Sequence, residues 1–218
     1  MKKIYLSPEN RPAPHGPYTG FPGVYEHDVC CEIAALEAAV LERCGCSVTI
    51  ADPGKTMAAR CAEANAGGFD LYQTIHTNAG GGTGAECLYY GKEGGASYKA
   101  NLAVYDELVK LYPSRRGLKD GNGYFENMNT RMVSVYPELA FHDNPADAAF
   151  LVSHKAELAE ALAKGVLSFL GVDWVEEAPE AQVIYTVQVG AFASRDNAEG
   201  YAETLRGQGI QCFVTTRK

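Results

Sequence analysis

Strand-like and helix-like runs alternate along most of this chain, and few architectures accommodate such alternation. The segments "KIYLS" (3–7), "SVTIA" (47–51), "DLYQTIH" (70–76), "AECLYY" (85–90) and "RMVSVYPELAF" (131–141) carry the β-branched and aromatic bias of strands. Between them, "YEHDVCCEIAALEAAVLERCG" sets Val29, Ile33, Leu36, Ala39 and Val40 on one helical stripe with Gly45 just past its end. "KTMAARCAEANAGG" is a second helix closed by glycines, and "SYKANLAVYDELVKLY" a third that stops before Pro113. A polar loop follows it, and "PADAAFLVSHKAELAEALAKGVLSFLG" reads as a turn and a long last helix. The pattern predicts an α/β fold: a mostly parallel twisted sheet with helices on both faces.

The alternation stops at "VDWVEEAPEAQ", which is acidic, holds Pro179 and has neither periodicity. This marks a linker at 173–182 between a domain spanning 1–172 and a small unit at 183–218. In that unit "VIYTVQVGAFAS" alternates as a strand, "RDNAEGYAETLRGQG" reads as a helix and "IQCFVTT" as a second strand. A βαβ unit of this size is below what usually folds alone, so it needs a partner surface.

Composition narrows the function classes. Among 218 residues, 46% hydrophobic and 21% charged describe a globular protein rather than a disordered or fibrous one. A net charge of −8 without a Lys/Arg cluster argues against nucleic acid as a partner. No apolar run approaches the roughly 20 residues of a membrane span, and "MKKIYLSPEN" lacks the apolar stretch of an export signal. The seven cysteines have neither zinc-ribbon nor disulfide-framework spacing, so reduced structural thiols are expected.

The chemistry concentrates where strands end. His76 closes "DLYQTIH" just before "TNAGGG", at the sheet edge where open α/β folds bind ligands. Glu26 opens the first long helix, directly after a Gly/Pro-rich loop that contains His15. Glu138, in "YPELAFHDN", interrupts an apolar strand, where a carboxylate has to be solvated, paired or metal-linked. Each has an ordinary reading as well: a hydrogen-bonded histidine, a first-turn glutamate favoured by the helix dipole, a surface histidine. Taken together, His15, Glu26 and His76 are donors that suit Zn²⁺ and leave a fourth position for water, while Glu138 is a free carboxylate able to move a proton. Without an "HExxH" run, spacing alone does not decide for zinc.

In its order of a first strand and loop, "YEHDVCCEIA", "IHTNA" and "PELAFHDN", the chain resembles the zinc-dependent N-acetylmuramoyl-L-alanine amidases of the type-3 group, over roughly residues 1–172. The resemblance implies that Glu26 and His76 bind zinc and that Glu138 is the catalytic carboxylate, with Arg60 and Asn65 as supporting matches. The family carries its first histidine directly after strand one, in a run like "DPGHGG", whereas this chain reads "LSPENRPAPHG" with Asn10 near that position. His15 is therefore expected to take that histidine's place. His27 is its rival, but it neighbours Glu26 on a helix and should point about 100° away. His142 is expected on the substrate side, Asn78 and its glycines as a low wall for a peptide, and His154 on the surface.

The tail "YTVQVGAFASRDNAEGYAETLRGQGIQCFV" resembles the first half of a sporulation-related repeat (SPOR) domain, a peptidoglycan-binding βαββαβ module, through Gly190, Phe192, Asn197, Ala198 and Leu205. Its missing half implies either truncation or a homodimer in which two tails complete one sheet. The function these resemblances imply is hydrolysis of the amide between N-acetylmuramic acid and the L-alanine of the stem peptide. The alternatives are a wall-binding protein with an inactive amidase fold and a zinc carboxypeptidase on stem peptides. Such a substrate lies outside the membrane, so release as a prophage-type lysin or loss of a signal is expected.

Overall fold

The alternation is present in the computed structural model, which describes residues 1–112, 116–177 and 187–216. Strands β1 (Lys3–Pro8), β2 (Ser47–Ile50), β3 (Leu71–Asn78), β4 (Glu86–Tyr89), β5 (Leu118–Asp120), β6 (Val133–Val135) and β7 (Pro137–Phe141) form one seven-stranded sheet. Its order is β2-β1-β3-β7-β4-β5, with β6 also paired to β3. All pairs are parallel except β4 with β7. β3 lies at the centre and is buried from Leu71 to Thr77, as a strand covered on both faces must be.

Helices α1 (Glu26–Arg43), α3 (Ala96–Leu111) and α6 (Lys155–Leu170) pack together against one face, where Ile33, Leu41, Leu71, Ile75, Val104, Leu108, Leu162 and Val166 build the main core. Each such side chain contributes about 1.5–3 kcal/mol on burial. Close approach of α6 to α3 requires Gly165, because a Cβ there would sit 2.4 Å from the Val104 Cα. On the other side, α2 (Met57–Gly67) supplies Cys61 and Ala64 to a smaller cluster with Tyr5, Ala51 and Tyr72. The seven cysteines are free thiols.

Several elements differ from the sequence reading. "RMVSVYPELAF" is two strands, because Pro137 has no N–H to continue a ladder and the Tyr136 N–H turns instead to Asn101 Oδ1 at 2.9 Å. The long last helix breaks at His154 into α5 (Pro145–Ser153) and α6, and the polar loop holds β5 and a short helix, α4 (Phe125–Asn129).

The chain divides into two compact units, Met1–Glu177 and Ala178–Lys218. In the second, α7 (Arg195–Gly207) buries Ala202 and Leu205, Phe192 meets Tyr201 at 5.4 Å between ring centres, and Arg206 donates to the Cys212 carbonyl. The expected βαβ unit is, among the described residues, this helix flanked by segments without regular structure. Residues 187–194 and 210–216 form no strand, and 183–186 lie outside the described residues. An alternating sequence makes a strand only where a ladder partner exists.

Candidate active site

The sheet brings the chemistry-bearing residues to its carboxyl edge. β1 ends beside Glu9, β3 ends with His76, Thr77 and Asn78, and the register of β3 with β7 sets His76 opposite Glu138. Glu26, the first residue of α1, donates its backbone N–H to the Gly16 carbonyl and accepts the Thr77 N–H on Oε1, both at 2.9 Å. Gly16 is left-handed (φ +61°), and a Cβ there would come within 2.7 Å of the Glu26 Cβ. Only glycine lets the loop close over Glu26. An open cleft of about 630 Å³ results, with Arg11, His15, Glu26, His76, Glu138 and His142 on its walls and Tyr124 and Tyr136 beside them.

Glu9, Glu26 and His76 are buried and offer donor atoms within 4.8 Å of one another. His76 Nδ1 is 3.1 Å from Glu9 Oε2 and 3.5 Å from Glu26 Oε1, and its ring stacks on Tyr136 at 4.9 Å. Two carboxylates and an imidazole are the hard and borderline donors a divalent cation takes. Among the described residues His76 Nε2 has no hydrogen-bond partner, and it stands 3.8 Å from a third carboxylate, Glu126 Oε2 on α4. Glu126 Oε1 accepts hydrogen bonds from Ser7 at 2.6 Å and Tyr72 at 2.5 Å.

Protonation follows from these partners. Burial alone would raise Glu9, but hydrogen bonds from His76 and Arg11 outweigh it and hold this carboxyl far below the usual range. Burial opposes charge on His76, yet Tyr136 and the carboxylates of Glu126, Glu26 and Glu9 lift its pKa well above that of free imidazole. Glu126 is lowered despite its burial, through His76, Ser7 and Tyr72. Glu138 goes the other way: burial, opposed by His76 and reinforced by Glu26, Glu86 and Glu9, pushes it up to about 7. Its Oε2 is buried without a hydrogen-bond partner.

Of the residues singled out from sequence, Glu26, His76 and Glu138 converge. His15 reaches the same cleft, but its side chain is 42% exposed and its Nε2 stands 4.0 Å from Glu26 Oε2, outside the donor set. His142 is buried against Tyr18 and bonded through Nδ1 to Thr77 Oγ1 at 2.9 Å. Asn78 Nδ2 donates to Glu86 Oε1 at 2.8 Å, so its side chain ties β3 to β4 at the cleft edge. His27 binds the Glu9 carbonyl through Nδ1 and does not line the cleft. Arg60 lies buried, joining Ser7 and the Pro8 carbonyl to the Asp52 carbonyl, while Asn65 holds the backbone of Asn129 and Arg131. Glu9 and Glu126 escaped the sequence reading, although a glutamate directly after an apolar strand was a usable signal for the first.

Comparison with known proteins bears on this geometry. The sequence matches the N-acetylmuramoyl-L-alanine amidase family over residues 15–168 and the SPOR domain over residues 154–218. It is similar to the N-acetylmuramoyl-L-alanine amidase CwlM of Bacillus licheniformis, at 30% identity over 76% of this chain and 64% of that protein. It is also similar to the sporulation-specific N-acetylmuramoyl-L-alanine amidase of Bacillus subtilis (strain 168), at 27% identity over 98% and 84%. The fold is similar to that of an N-acetylmuramoyl-L-alanine amidase from Clostridium difficile 630, with a TM-score of 0.70 at 24% identity over 78% of this chain and 97% of the other. For the amidase AmiC2 of Nostoc punctiforme the TM-score is 0.68 at 22% identity, over 78% and 97%. The sequence match from His15 through most of α6 takes in the cleft-lining residues Glu26, His76 and Glu138, and the chain belongs to the N-acetylmuramoyl-L-alanine amidase family.

Proposed function

We propose that the chain is a zinc-dependent peptidoglycan hydrolase that cleaves the amide between the lactyl group of N-acetylmuramic acid and the L-alanine of the stem peptide. The observation that carries this reading is the pairing of a compact donor set around His76 with a buried carboxyl, Glu138, set opposite His76 on the neighbouring strand. Glu26 and His76 would hold the ion, with Glu9 as the nearest third donor and His15 as the alternative. Bound there, zinc would polarise the scissile carbonyl and bring the pKa of a water toward about 7.

Glu138 then supplies the proton traffic. Its unpartnered Oε2 takes a proton from the attacking water, the C–N bond breaks as the new C–O bond is kept, and the same carboxyl returns the proton to the alanine nitrogen. Glu26 holds its place through the Thr77 N–H. Tyr124, exposed at the cleft beside the buried Tyr136, gives a sugar or peptide an apolar surface.

Mass spectrometry of digested peptidoglycan tests the reaction: free stem peptides with an intact L-alanine amine are expected, whereas loss of C-terminal residues alone would mean a carboxypeptidase. Metal analysis tests the ligands. Glu9→Gln should lose most of its zinc; a protein that keeps zinc in Glu9→Gln and loses it in His15→Ala has His15 as third ligand. The SPOR match supports a second contact with peptidoglycan through the tail, and hence action at the cell wall. Light scattering of the full chain and of residues 1–177 tests whether tails pair into a homodimer, since only a tail-dependent dimer supports pairing.

A further inference from the structure

Arg11 is the permanent cation among the described residues that line the cleft, and Glu26 and Glu138 share that lining. Its guanidinium is held from one side. Nε donates to Glu9 Oε1 at 3.0 Å and Nη2 to Glu9 Oε2 at 2.9 Å, while the Arg11 backbone N–H adds a bond to Oε1 at 2.6 Å. Glu9 is almost wholly buried, whereas the Arg11 side chain is 57% exposed. The fork is therefore pinned by an interior carboxylate and shown to solvent.

A guanidinium presents two edges to carboxylates, one through Nε and Nη2 and one through Nη1 and Nη2. Glu9 occupies the first. The second has no hydrogen-bond partner among the described residues. Pro12 follows Arg11 directly and stiffens the backbone that carries it. Ion pairing alone gives no reason for this exposure, because Glu9 already receives a hydrogen bond from His76.

We infer that Arg11 recognises a carboxylate of the substrate, namely the free α-carboxylate of the D-glutamate that follows L-alanine in the stem peptide. This rests on the amidase reading above. D-Glutamate takes the alanine carbonyl on its amine and is joined to the third residue through its side chain in that peptide, which leaves the α-carboxylate as a branch about one residue step, ~3.8 Å, beyond the alanine. Arg11 stands next to the donor set: its Nη2 at 2.9 Å and His76 Nδ1 at 3.1 Å share the same oxygen of Glu9. Arg11 sets a fixed positive charge beside the acidic lining of Glu26 and Glu138, where an incoming carboxylate can pair with it. Amidation of the D-glutamate removes the charge while keeping the shape, so Arg11 makes the cleft select between the two natural forms of the stem.

The test compares two N-acetylmuramyl dipeptides blocked at the glutamate side chain as the γ-methylamide: L-alanyl-D-glutamate, with a free α-carboxylate, and L-alanyl-D-isoglutamine, with an α-amide in its place. Affinities are measured by calorimetry on zinc-loaded full-length Glu138→Gln protein, alone and combined with Arg11→Gln or Arg11→Lys. The carboxylate ligand should bind about ten- to a hundredfold tighter in the Glu138→Gln background, and Arg11→Gln should bring the two ligands together. Arg11→Lys should keep a reduced preference, since a point charge replaces a fork. Equal affinities at the outset, no binding of either ligand, a preference that survives Arg11→Gln, or a uniform loss on both ligands would overturn the inference. Turnover by the wild-type protein separates the two layers: failure to release the dipeptide from either ligand sinks the amidase reading, while the binding comparison judges Arg11 independently.

Discussion

Glu9 and Glu37 are both buried, one at the carboxyl edge of the sheet and the other on α1 where it meets β3, and they respond to burial in opposite ways. Glu9 is ringed by Arg11 and His76 and stays ionised far below the usual range. Glu37 has a neutral partner: both its oxygens accept from Gln73 Nε2, at 2.8 and 2.7 Å, and burial pushes its pKa up to about 8. Depth does not separate them; compensation does. Glu138 stands between, raised to about 7 by burial that His76 partly offsets. Charge compensation is thus concentrated around His76, and Glu138 beside it is left partly uncompensated.

The largest effect expected from breaking this arrangement is at Glu138. Glu138→Gln keeps the shape of the side chain but cannot accept a proton, so turnover should fall by about 10²–10⁴. Zinc content should remain at the wild-type level, because Glu138 lies outside the donor set. Rates on purified muropeptides together with metal analysis check both halves; near-normal hydrolysis would remove Glu138 from the chemistry.

Glu126 sharpens the comparison from the other side. Its Oε1 is fixed by Ser7 and Tyr72, and its Oε2 faces the unpartnered Nε2 of His76 at 3.8 Å. A carboxylate behind a metal-binding imidazole fixes the ring and raises its basicity, typically worth about 10- to 100-fold in metal affinity. Glu126→Gln should therefore weaken zinc binding by that order in a chelator competition. Unchanged affinity would limit Glu126 to anchoring Ser7 and Tyr72.

Much of the fold and part of the site could be read before the structure, for identifiable reasons. The central strand and the long amphipathic helices announce themselves by composition and period, and Glu26, His76 and Glu138 each stand where such an element starts or ends. Glu126 does not: "GNGYFENMNT" has no periodicity, and its short helix matters because β1 and β3 bring Ser7 and Tyr72 against it. Glu9 was hidden in a loop-like "PEN", since its burial depends on Arg11 and His76 closing around it. The position of His15 is likewise set by loop packing, which no local pattern encodes. In the tail, alternation around Val187, Val189 and Phe213 describes residues that would fit a pleat, but among the described residues they have no ladder partner and their side chains are exposed.

The smallest expected effect lies in stability rather than turnover, and it tests the uncompensated member of the pair. With a folded-state pKa of about 8, against roughly 4.3 for free glutamate, Glu37 in the native protein retains a proton that the unfolded chain has released. Between those values the folded state binds more protons, so stability falls as pH rises and the contribution is lost once pH passes about 8. Both Glu37 oxygens face a single neutral donor, Gln73 Nε2, so nothing there offsets a negative charge on the buried carboxyl. Glu37→Gln carries no titrating proton, and its amide oxygen can still accept from Gln73 Nε2. The variant should melt close to the wild type at pH 5 and higher than it at pH 8.5, by on the order of 5 °C for a domain of this size. Melting curves across that range decide the matter: parallel profiles for the two proteins would mean that Glu37 has found compensation that Gln73 alone does not supply.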